Sequence, residues 1–395
     1  MVKPKYELMA PAGNFPMLSA AVNAGADAVY FGLKDYSMRA TSKNFTLDDL
    51  DEMREVCDSS QRKVKMYLTL NTIVFDEEIE KLDEIIKKVK DKVDAIICWD
   101  HAIIMLCNKH KIPFFISTQA SVANTKAAEY YKNLGAQRVV LARELNLEQI
   151  KKISSVIDVE CFVHGAMCVA ISGRCFMSQF TYNKSANRGE CNQNCRRNYS
   201  VTDSSGHELQ VENSRVLSAK DLCALPFIEK MKESGVMSFK IEGRGRDPRY
   251  VDIVTSIYRK ALDNSMSSDD VKSEIIELEK VFNRQFSTGF YLGKPTNHDF
   301  STTENSAATE VKRNLGKVTN YYSKNQVASI KLVADLAIGD KIVVIGNKTG
   351  IVTQIVSSME IDNKPLDKAN KGTTVGVKIL GIRKGDTVFK IESRK

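Results

Sequence analysis

Short apolar runs alternate with amphipathic stretches over the first 260 residues of the chain. Segments with a helical repeat lie between the runs, among them Phe15–Ala24, Asp76–Lys88 and Thr125–Leu134. The apolar runs predict eight strands: Glu7–Ala10, Ala28–Phe31, Lys65–Leu70, Ala95–Trp99, Pro113–Ser117, Arg138–Leu141, Val159–Val163 and Ser238–Ile241. Strands separated by helices predict parallel pairing through right-handed crossovers.

Eight strands of this kind are typical of a closed barrel, so the pattern predicts an α/β fold of the TIM-like (β/α)8 class. An open doubly wound sheet is the alternative. The sequence contains neither G-x-G-x-x-G nor G-x-x-x-x-G-K-[ST], so the usual support for a nucleotide-binding fold is missing.

One connection is too long for an ordinary βα loop. Residues 164–237 separate the last two predicted strands and form an insertion at the end of the barrel where chemistry usually occurs. Within it, Tyr199–Asp203 and Glu208–Val211 flank Ser204-Ser205-Gly206, which predicts a hairpin. Trailing helices are expected within 248–283, at Pro248–Leu262 and Asp269–Phe282.

A second domain is predicted at 301–395, after a barrel domain of residues 1–300 and a linker at 289–305. Short β-rich segments recur in the second domain, and two Gly-Asp turns each precede one of them. The segments are Gly316–Asn320, Ser329–Val333, Lys341–Ile345, Gly350–Val356, Thr374–Ile379 and Thr387–Ile391. They predict a small antiparallel β-barrel similar to the second domain of translation GTPases.

Most of the net charge of +8 lies in this second domain. Residues 301–395 carry 16 Lys and Arg against 9 Asp and Glu, a net +7 that leaves +1 for residues 1–300. A basic module on a nearly neutral body favours a polyanionic partner, with RNA the first candidate. A lysine-rich surface that is merely solvated is the alternative.

The N-terminal residues show no signal-peptide pattern, and no apolar run approaches the roughly 20 residues of a membrane helix. We therefore expect a cytoplasmic protein without a membrane partner.

Nine cysteines are unusual for a cytoplasmic chain, where disulfides are rare. Four of them, Cys57, Cys98, Cys107 and Cys161, lie in apolar contexts typical of buried small side chains. The other five lie close together in the sequence: Cys168, Cys175, Cys191, Cys195 and Cys223.

The spacing of the five limits how they can meet. On one helix Cys168 and Cys175 would stand about 10.5 Å apart along the axis, so the chain must fold back between them, and Ser172-Gly173 is a natural break. Cys191 and Cys195 would share a helix face. Four thiols suit zinc or a 4Fe–4S cluster, and the wide spread favours the cluster. Redox or structural thiols remain a third interpretation.

Several motifs together resemble the collagenase-like peptidase family, number thirty-two among peptidases of unknown catalytic type. They are His-Gly-Ala-Met-Cys at 164–168, Ser-Gly-Arg-Cys at 172–175 and Asn-Arg-Gly-x-Cys-x-x-x-Cys-Arg at 187–196. Further matches are Glu7–Asn14, Gly25–Gly32, Ser218–Cys223 and Lys240–Arg244, so the resemblance spans residues 6 to 295.

The resemblance implies RNA modification. One group in the family is needed for prephenate-dependent hydroxylation of the tRNA wobble uridine at carbon 5, another acts on ribosomal RNA, and a third assists ubiquinone hydroxylation. Known cluster-binding members hold a 4Fe–4S cluster on cysteines of this motif. The length and second domain look most like the tRNA group. We expect Cys168, Cys175, Cys191 and Cys223 as ligands, with Cys195 nearby.

Five further residues are candidates for the chemistry. Arg174 and Arg188 could bind the carboxylates of a small co-substrate such as prephenate, and His164 could transfer protons, orient a cluster sulfur or be structural. Glu242 and Arg244 follow the last barrel strand, where catalytic side chains gather, although a structural ion pair is equally compatible.

Two other functions remain open. The family name suggests a peptidase, but the sequence contains neither H-E-x-x-H nor G-x-S-x-G. The chain could also be a non-catalytic subunit that works with a protein partner in a hydroxylation system.

Overall fold

Eight parallel strands close into a barrel in the computed structural model, which describes residues 6–34, 44–171, 174–208 and 217–394. The barrel strands are β1 Glu7–Pro11, β2 Ala28–Gly32, β3 Lys65–Leu70, β4 Ala95–Cys98, β5 Phe114–Ile116, β6 Arg138–Val140, β7 Asp158–Gly165 and β9 Val236–Ile241. Each of the first seven pairs in parallel with the next, while β9 pairs with both β7 and β1. The closure confirms the TIM-like fold and excludes the open doubly wound sheet.

Helices cover the outside of the barrel. They are α1 Phe15–Asn23, α2 Leu50–Asp58, α3 Ile79–Val89, α4 His101–His110, α5 Thr125–Asn133, α6 Leu147–Ser154, α8 Ile228–Glu233, α9 Pro248–Asp263 and α10 Ser268–Glu279. Short polar residues start several of them: the side chains of Asn14, Asn124 and Asp247 each accept a hydrogen bond from a backbone N–H in the first turn. Across the described residues, no helix combines the length and apolar composition that a membrane crossing requires.

The alternation of side chains along the strands separates two buried layers. On β1, Leu8 and Ala10 join the large core shared with the helices, whereas Met9 joins a small cluster inside the barrel. That inner cluster also contains Tyr30, Tyr67 and Phe115, and it fills the middle of the barrel with aromatic rings. This inner aromatic layer therefore closes the barrel below any ligand bound at the carboxyl ends of the strands.

The predicted insertion contains regular structure that the sequence pattern did not indicate. β8 Asp221–Cys223 pairs antiparallel with the end of β7, and β10 Phe286–Ser287 adds to β8. The short helix α7 Met177–Tyr182 lies between β7 and β8 in sequence. A bridge between Thr202 and Glu208 agrees with the predicted hairpin, although 209–211 lie outside the described residues, as does the predicted break at 172–173.

The predicted linker at 289–305 makes contacts with the barrel and with the insertion. Tyr291 is buried, and its hydroxyl donates to the carbonyl of Phe162 at 2.7 Å. The backbone N–H of Ser301 donates to the carbonyl of Ser218 at 2.7 Å. These contacts hold the segment against the insertion.

Antiparallel strands form the C-terminal region, as the sequence predicts. They are β11 Glu310–Tyr322, β12 Val327–Leu332, β13 Leu336–Ala337, β14 Lys341–Gly346, β15 Gly350–Ile355, β16 Met359–Ile361, β17 Lys364–Pro365, β18 Lys368–Ala369, β19 Thr374–Lys378 and β20 Thr387–Ser393. Eight of them make one sheet in the order β15-β14-β20-β11-β12-β19-β16-β17 around a core of its own. The resemblance to the translation-factor domain and the boundary after residue 300 stay predictions.

The sheet docks on the first helix of the barrel. Gly350 has a φ of +68°, and a Cβ there would lie 2.9 Å from the backbone nitrogen of Ala20. The Ser19 hydroxyl donates to the carbonyl of Asn347 at 2.6 Å, and Arg249 pairs with Glu310. Only glycine combines this backbone conformation with such a close approach.

Candidate functional site

A cavity of about 450 Å³ opens at the carboxyl ends of the barrel strands, beneath the cysteine-rich insertion. Its lining combines polar residues after the strands with cations and thiols. The main lining residues are Tyr30, Thr69, Asn71, Ser117, Gln119, Arg143, Cys168, Cys191, Cys195, Arg196, Lys240, Glu242, Arg244 and Arg246. This is the end of a TIM-like barrel at which chemistry is expected.

A network of buried charges lies below the cavity. Arg138 pairs with Glu7 at 2.5 Å and with Glu160 at 3.2 Å. The Lys240 ammonium pairs with Glu160 at 2.8 Å and stands 4.4 Å from the centre of the Tyr30 ring. Burial lowers the pKa of Lys240 and Glu160 opposes that shift. Lys240 therefore connects the charge network to the cavity.

Among the described residues, four arginines make the cavity cationic, and two of them, Arg143 and Arg196, hold the backbone around it. Arg143 donates to the carbonyl of Ala166 at 2.7 Å, yet its buried Nε has no hydrogen-bond partner. Arg244 donates to the Thr69 hydroxyl at 2.9 Å, and Arg196 donates to the carbonyl of Met167. Sequence reasoning missed three of these arginines because Arg196 stands in a motif that was examined for its cysteines, while Arg143 and Arg246 lie outside the quoted motifs.

Four of the five clustered cysteines lie near one another. Cys168 is exposed, while Cys175, Cys191 and Cys195 are partly buried. Burial raises the pKa of Cys195, and the adjacent Arg196 opposes that shift. Three further thiols add to the rise: Cys168, Cys191 and Cys175. The thiolates would therefore repel one another unless a cation or metal centre lay between them.

The fifth cysteine occupies different surroundings. Cys223 is 4% exposed and its sulfur lies 3.8 Å from the Tyr258 hydroxyl. Burial raises its pKa to about 11, and none of the other four thiols contributes to that shift. The structure thus groups Cys195, and not Cys223, with the other three sequence-predicted ligands.

His164 also points away from the cavity. A register shift between Phe162 and His164 interrupts the pairing of β7 with β9, and the imidazole lies among the rings of Tyr250, Tyr258 and Phe286. Burial lowers its pKa to about 3, so the ring is neutral. This position favours the structural interpretation over proton transfer in the cavity.

Within the described part of the chain, no three His, Cys, Asp or Glu side chains are arranged to bind a single metal ion. A zinc site would need that arrangement. A 4Fe–4S cluster binds each thiolate through a different iron, so its four sulfurs stand farther apart than the ligands of one ion. Thiolates are ligands of both zinc and 4Fe–4S clusters, so the donor set of the group suits either centre.

The two arginines predicted to bind a carboxylate co-substrate hold the insertion instead. Arg188 forms an ion pair with Glu78 at 2.5 Å and donates to the carbonyl of Ile73. The hydrogen bond from Arg188 lowers the pKa of Glu78. Arg174 is exposed and donates to the carbonyl of Gln119 at 3.0 Å. Neither residue lines the cavity, whereas the predicted Glu242 and Arg244 do.

A second buried acid lies beside the thiols. Asp221 is 1% exposed and its Oδ1 stands 3.7 Å from Nη1 of Arg284, and neither atom has a hydrogen-bond partner. Burial raises the pKa of Asp221, and three arginines oppose the shift. Burial likewise lowers the pKa of Arg284 to about 10. In the charge network below the cavity Arg138 has one buried atom without a hydrogen-bond partner, Nε, whereas Asp221 and Arg284 together have three, so this pair is the less completely hydrogen-bonded of the two groups.

Comparison with known proteins identifies the family. Residues 13–301 match the model described as Peptidase family U32. An uncharacterized protease of Methanocaldococcus jannaschii is 40% identical over 97% of both chains, and a collagenase of Porphyromonas gingivalis is 38% identical over 99% of both. The tRNA hydroxylation protein P1 of Bacillus subtilis is 33% identical over 93% of this chain and 90% of the relative. The chain therefore belongs to peptidase family U32.

Proposed function

We propose that this chain is an iron–sulfur RNA-modification protein that hydroxylates the wobble uridine of tRNA at carbon 5 with prephenate as co-substrate. The observation that carries the proposal is the group of thiols at the mouth of a cationic cavity, at the end of the barrel where chemistry is expected. The similarity to a tRNA hydroxylation protein along nearly the whole chain supports it. Work on tRNA implies a cytoplasmic protein.

Cys168, Cys175 and Cys191 would hold a 4Fe–4S cluster, which supplies single electrons when bound. The fourth ligand is Cys195 or Cys223. Cys195 already interacts with the other three thiols, whereas Cys223 would have to turn away from Tyr258.

The cavity suits a carboxylate and a base together. Arg143, Arg244 and Arg246 line it and offer guanidinium groups to the co-substrate, in place of Arg174 and Arg188. Its volume of about 450 Å³ lies within the range of small-molecule sites. A uridine would have to leave its stack to enter such a cavity.

The C-terminal domain would bind RNA phosphates. Lys317 on β11 and Lys331 on β12 are exposed and directly opposite each other in the sheet register. Such a pair attracts a polyanion without reading its sequence.

Anaerobic purification with iron and sulfide analysis tests the cluster. Cys191→Ala should abolish bound iron and sulfide, because one of the shared ligands is lost, whereas Cys57→Ala on α2 should retain both. Comparing Cys195→Ala with Cys223→Ala identifies the fourth ligand, since only one of the two should lose the cluster. Wild-type protein without iron or sulfide would contradict the proposal.

Mass spectrometry of tRNA nucleosides tests the reaction. A strain lacking the gene should lose 5-hydroxyuridine-type nucleosides, and the wild-type gene should restore them while Cys191→Ala should not. Activity of the purified chain on tRNA without another protein would exclude the accessory-subunit alternative.

A peptidase is the second candidate, because two close relatives carry protease names. The site gives it little support: His164 is neutral and buried among aromatic rings, while the nearby Cys168 is exposed. A cysteine nucleophile needs a base within hydrogen-bond reach. Cleavage of labelled gelatin by the wild type, abolished in Cys168→Ala, would favour the peptidase.

A further inference from the structure

Two phenylalanine rings project from the insertion into solvent. Phe176 precedes α7 and Phe180 lies one helical turn later, and their side chains are 60% and 84% exposed. The two rings stack on each other with centroids 5.9 Å apart and planes 26° apart. Exposing such rings forgoes about 1.5–3 kcal/mol of burial each, so a function for the exposed faces has to be considered.

The segment that carries the rings contacts residues next to the cavity lining: the Asn194 side chain, beside the lining residue Cys195, donates to the carbonyl of Met177 at 3.2 Å. Phe176 directly follows Cys175, one of the grouped thiols. Arg174 donates to the carbonyl of Gln119, and Gln119 lines the cavity. Arg174 also lies 5.5 Å from the centre of the Trp99 ring. The rings therefore lie on a segment that is joined to the cavity lining by hydrogen bonds.

Positive charge surrounds the rings. Residues 174–197 contain five Lys and Arg but one acidic residue, Glu190. Lys184 and Arg197 are exposed, and Arg197 stands 5.3 Å from the centre of the Tyr182 ring, which is itself 40% exposed. Flat aromatic faces among cations match a single-stranded nucleic acid, whose bases stack while its phosphates pair with Lys and Arg. An apolar protein partner would not require the cations.

We propose that Phe176, Phe180 and Tyr182, here called the aromatic shelf, stack the unpaired RNA bases next to the nucleotide that enters the cavity. The inference rests on the proposed function, since it takes RNA as the substrate. It assigns single-strand recognition to the insertion, where Lys184 and Arg197 contact the neighbouring phosphates in addition to the phosphate contacts of the C-terminal domain.

Fluorescence anisotropy with a labelled single-stranded oligouridine tests the shelf on the full chain. Phe180→Ala should weaken binding on the order of tenfold, as expected for the loss of one stacked base. Phe180→Leu, which keeps an apolar side chain, should weaken binding nearly as much. Tyr130→Ala on α5 is the matched control, because Tyr130 is a 53% exposed aromatic residue outside the insertion, and its binding should equal that of the wild type.

The salt dependence separates stacking from charge. Phe180→Leu should leave the slope of log affinity against log salt unchanged, whereas Arg197→Ala should reduce it by about 0.7 for one lost phosphate contact. Circular dichroism should show that Phe180→Leu and Arg197→Ala are folded. If Phe180→Ala in the first experiment does not fold, Phe176→Leu provides a second variant.

Different failures point to different errors. If wild-type protein does not bind the oligouridine at all, the proposed function fails together with the shelf. If the wild type binds and Phe180→Leu binds equally well, only the shelf is wrong. A change in oligomeric state, or a loss of binding to anionic vesicles, in Phe180→Leu without a change in RNA affinity would overturn the shelf in favour of a protein or membrane contact.

Discussion

Two groups of buried charges lie next to the cavity lining, here called the floor (Glu7, Arg138 and Glu160) and the wall (Asp221 and Arg284), and they are paired differently. In the floor, Arg138 lies between the carboxylates of Glu7 and Glu160 at 2.5 and 3.2 Å. In the wall, Asp221 and Arg284 stand 3.7 Å apart and the facing atoms make no hydrogen bond. The two acids therefore respond in opposite directions: the pKa of Glu7 is lowered and that of Asp221 is raised.

The difference separates stability from function. Burial by itself would raise the pKa of Glu7, but Arg138 and Lys65 outweigh burial, so the charged floor stabilises the fold. Buried polar atoms without partners cost free energy, and they persist where a ligand or reaction needs them. We infer that the floor holds the barrel together while the wall is kept ready for the chemistry beside the thiols.

Removing the central cation of the floor should have the largest effect. Arg138→Met leaves the carboxylates of Glu7 and Glu160 buried without that partner, and we expect the free energy of unfolding to fall by about 3–5 kcal/mol. Urea unfolding at neutral pH measures the loss. The control is Lys65→Met, because Lys65 also pairs with Glu7 but its side chain is 54% exposed, so its loss should be within about 1 kcal/mol. Equal effects of the two variants would show that the floor is not a stabilising network.

Neutralising one acid of the floor should have an intermediate effect. Glu7→Gln removes a charge that Arg138 and the Tyr67 hydroxyl both bind, and we expect a loss of about 1–3 kcal/mol at neutral pH. Because the pKa of Glu7 is lower in the folded chain, its stabilisation is complete above the unfolded value near 4.5 and is lost as the pH falls through the folded value.

Urea midpoints measured between pH 7 and pH 3 check that dependence. The gap between wild type and Glu7→Gln should stay constant down to about pH 5 and then narrow. A gap that widens in acid would mean that Glu7 is protonated in the folded chain.

The sequence predicts the barrel better than the site. Alternating apolar runs separated by helices identify all eight barrel strands, since each strand must bury one face against helices and the other inside the barrel. β8 Asp221–Cys223 escapes prediction because it lies in the insertion and pairs antiparallel with β7, outside the strand–helix alternation that reveals the equally short β5 and β6. The motifs likewise select the cysteines as candidates without showing which face each one occupies.

Local backbone geometry decides the directions of those side chains. A register shift after Phe162 turns His164 toward α9, and the pairing of His164 with Cys223 places that cysteine in the same aromatic layer. Arg188 was expected to bind a carboxylate and does so, but the carboxylate is Glu78 of this chain, 110 residues away in sequence. The direction of His164 and the partner of Arg188 do not depend on residue types at a fixed spacing. Sequence patterns therefore could not predict either of them.

Neutralising Asp221 in the wall should change the free energy of unfolding least. It should raise that free energy at pH 8, whereas neutralising Glu7 in the floor lowers it. The pKa of Asp221 is raised by burial, so the stability that it contributes is present below the unfolded value of 3.8 and is lost as the pH rises through the folded value. Asp221→Asn cannot ionise. At pH 8 we expect its free energy of unfolding to exceed that of the wild type by on the order of 1 kcal/mol. Near pH 3.5 the two proteins should be equally stable.

Urea unfolding at pH 8 and at pH 3.5 measures the difference. The protein is purified in air so that bound iron does not contribute to its stability. Asp269→Asn is the control, since that side chain is 90% exposed and the substitution should change neither midpoint. If Asp221→Asn is less stable than wild type at pH 8, then Asp221 pairs with Arg284 as strongly as Glu7 pairs with Arg138. The floor and the wall would then be equivalent, and the separation of stability from function within this barrel would be wrong.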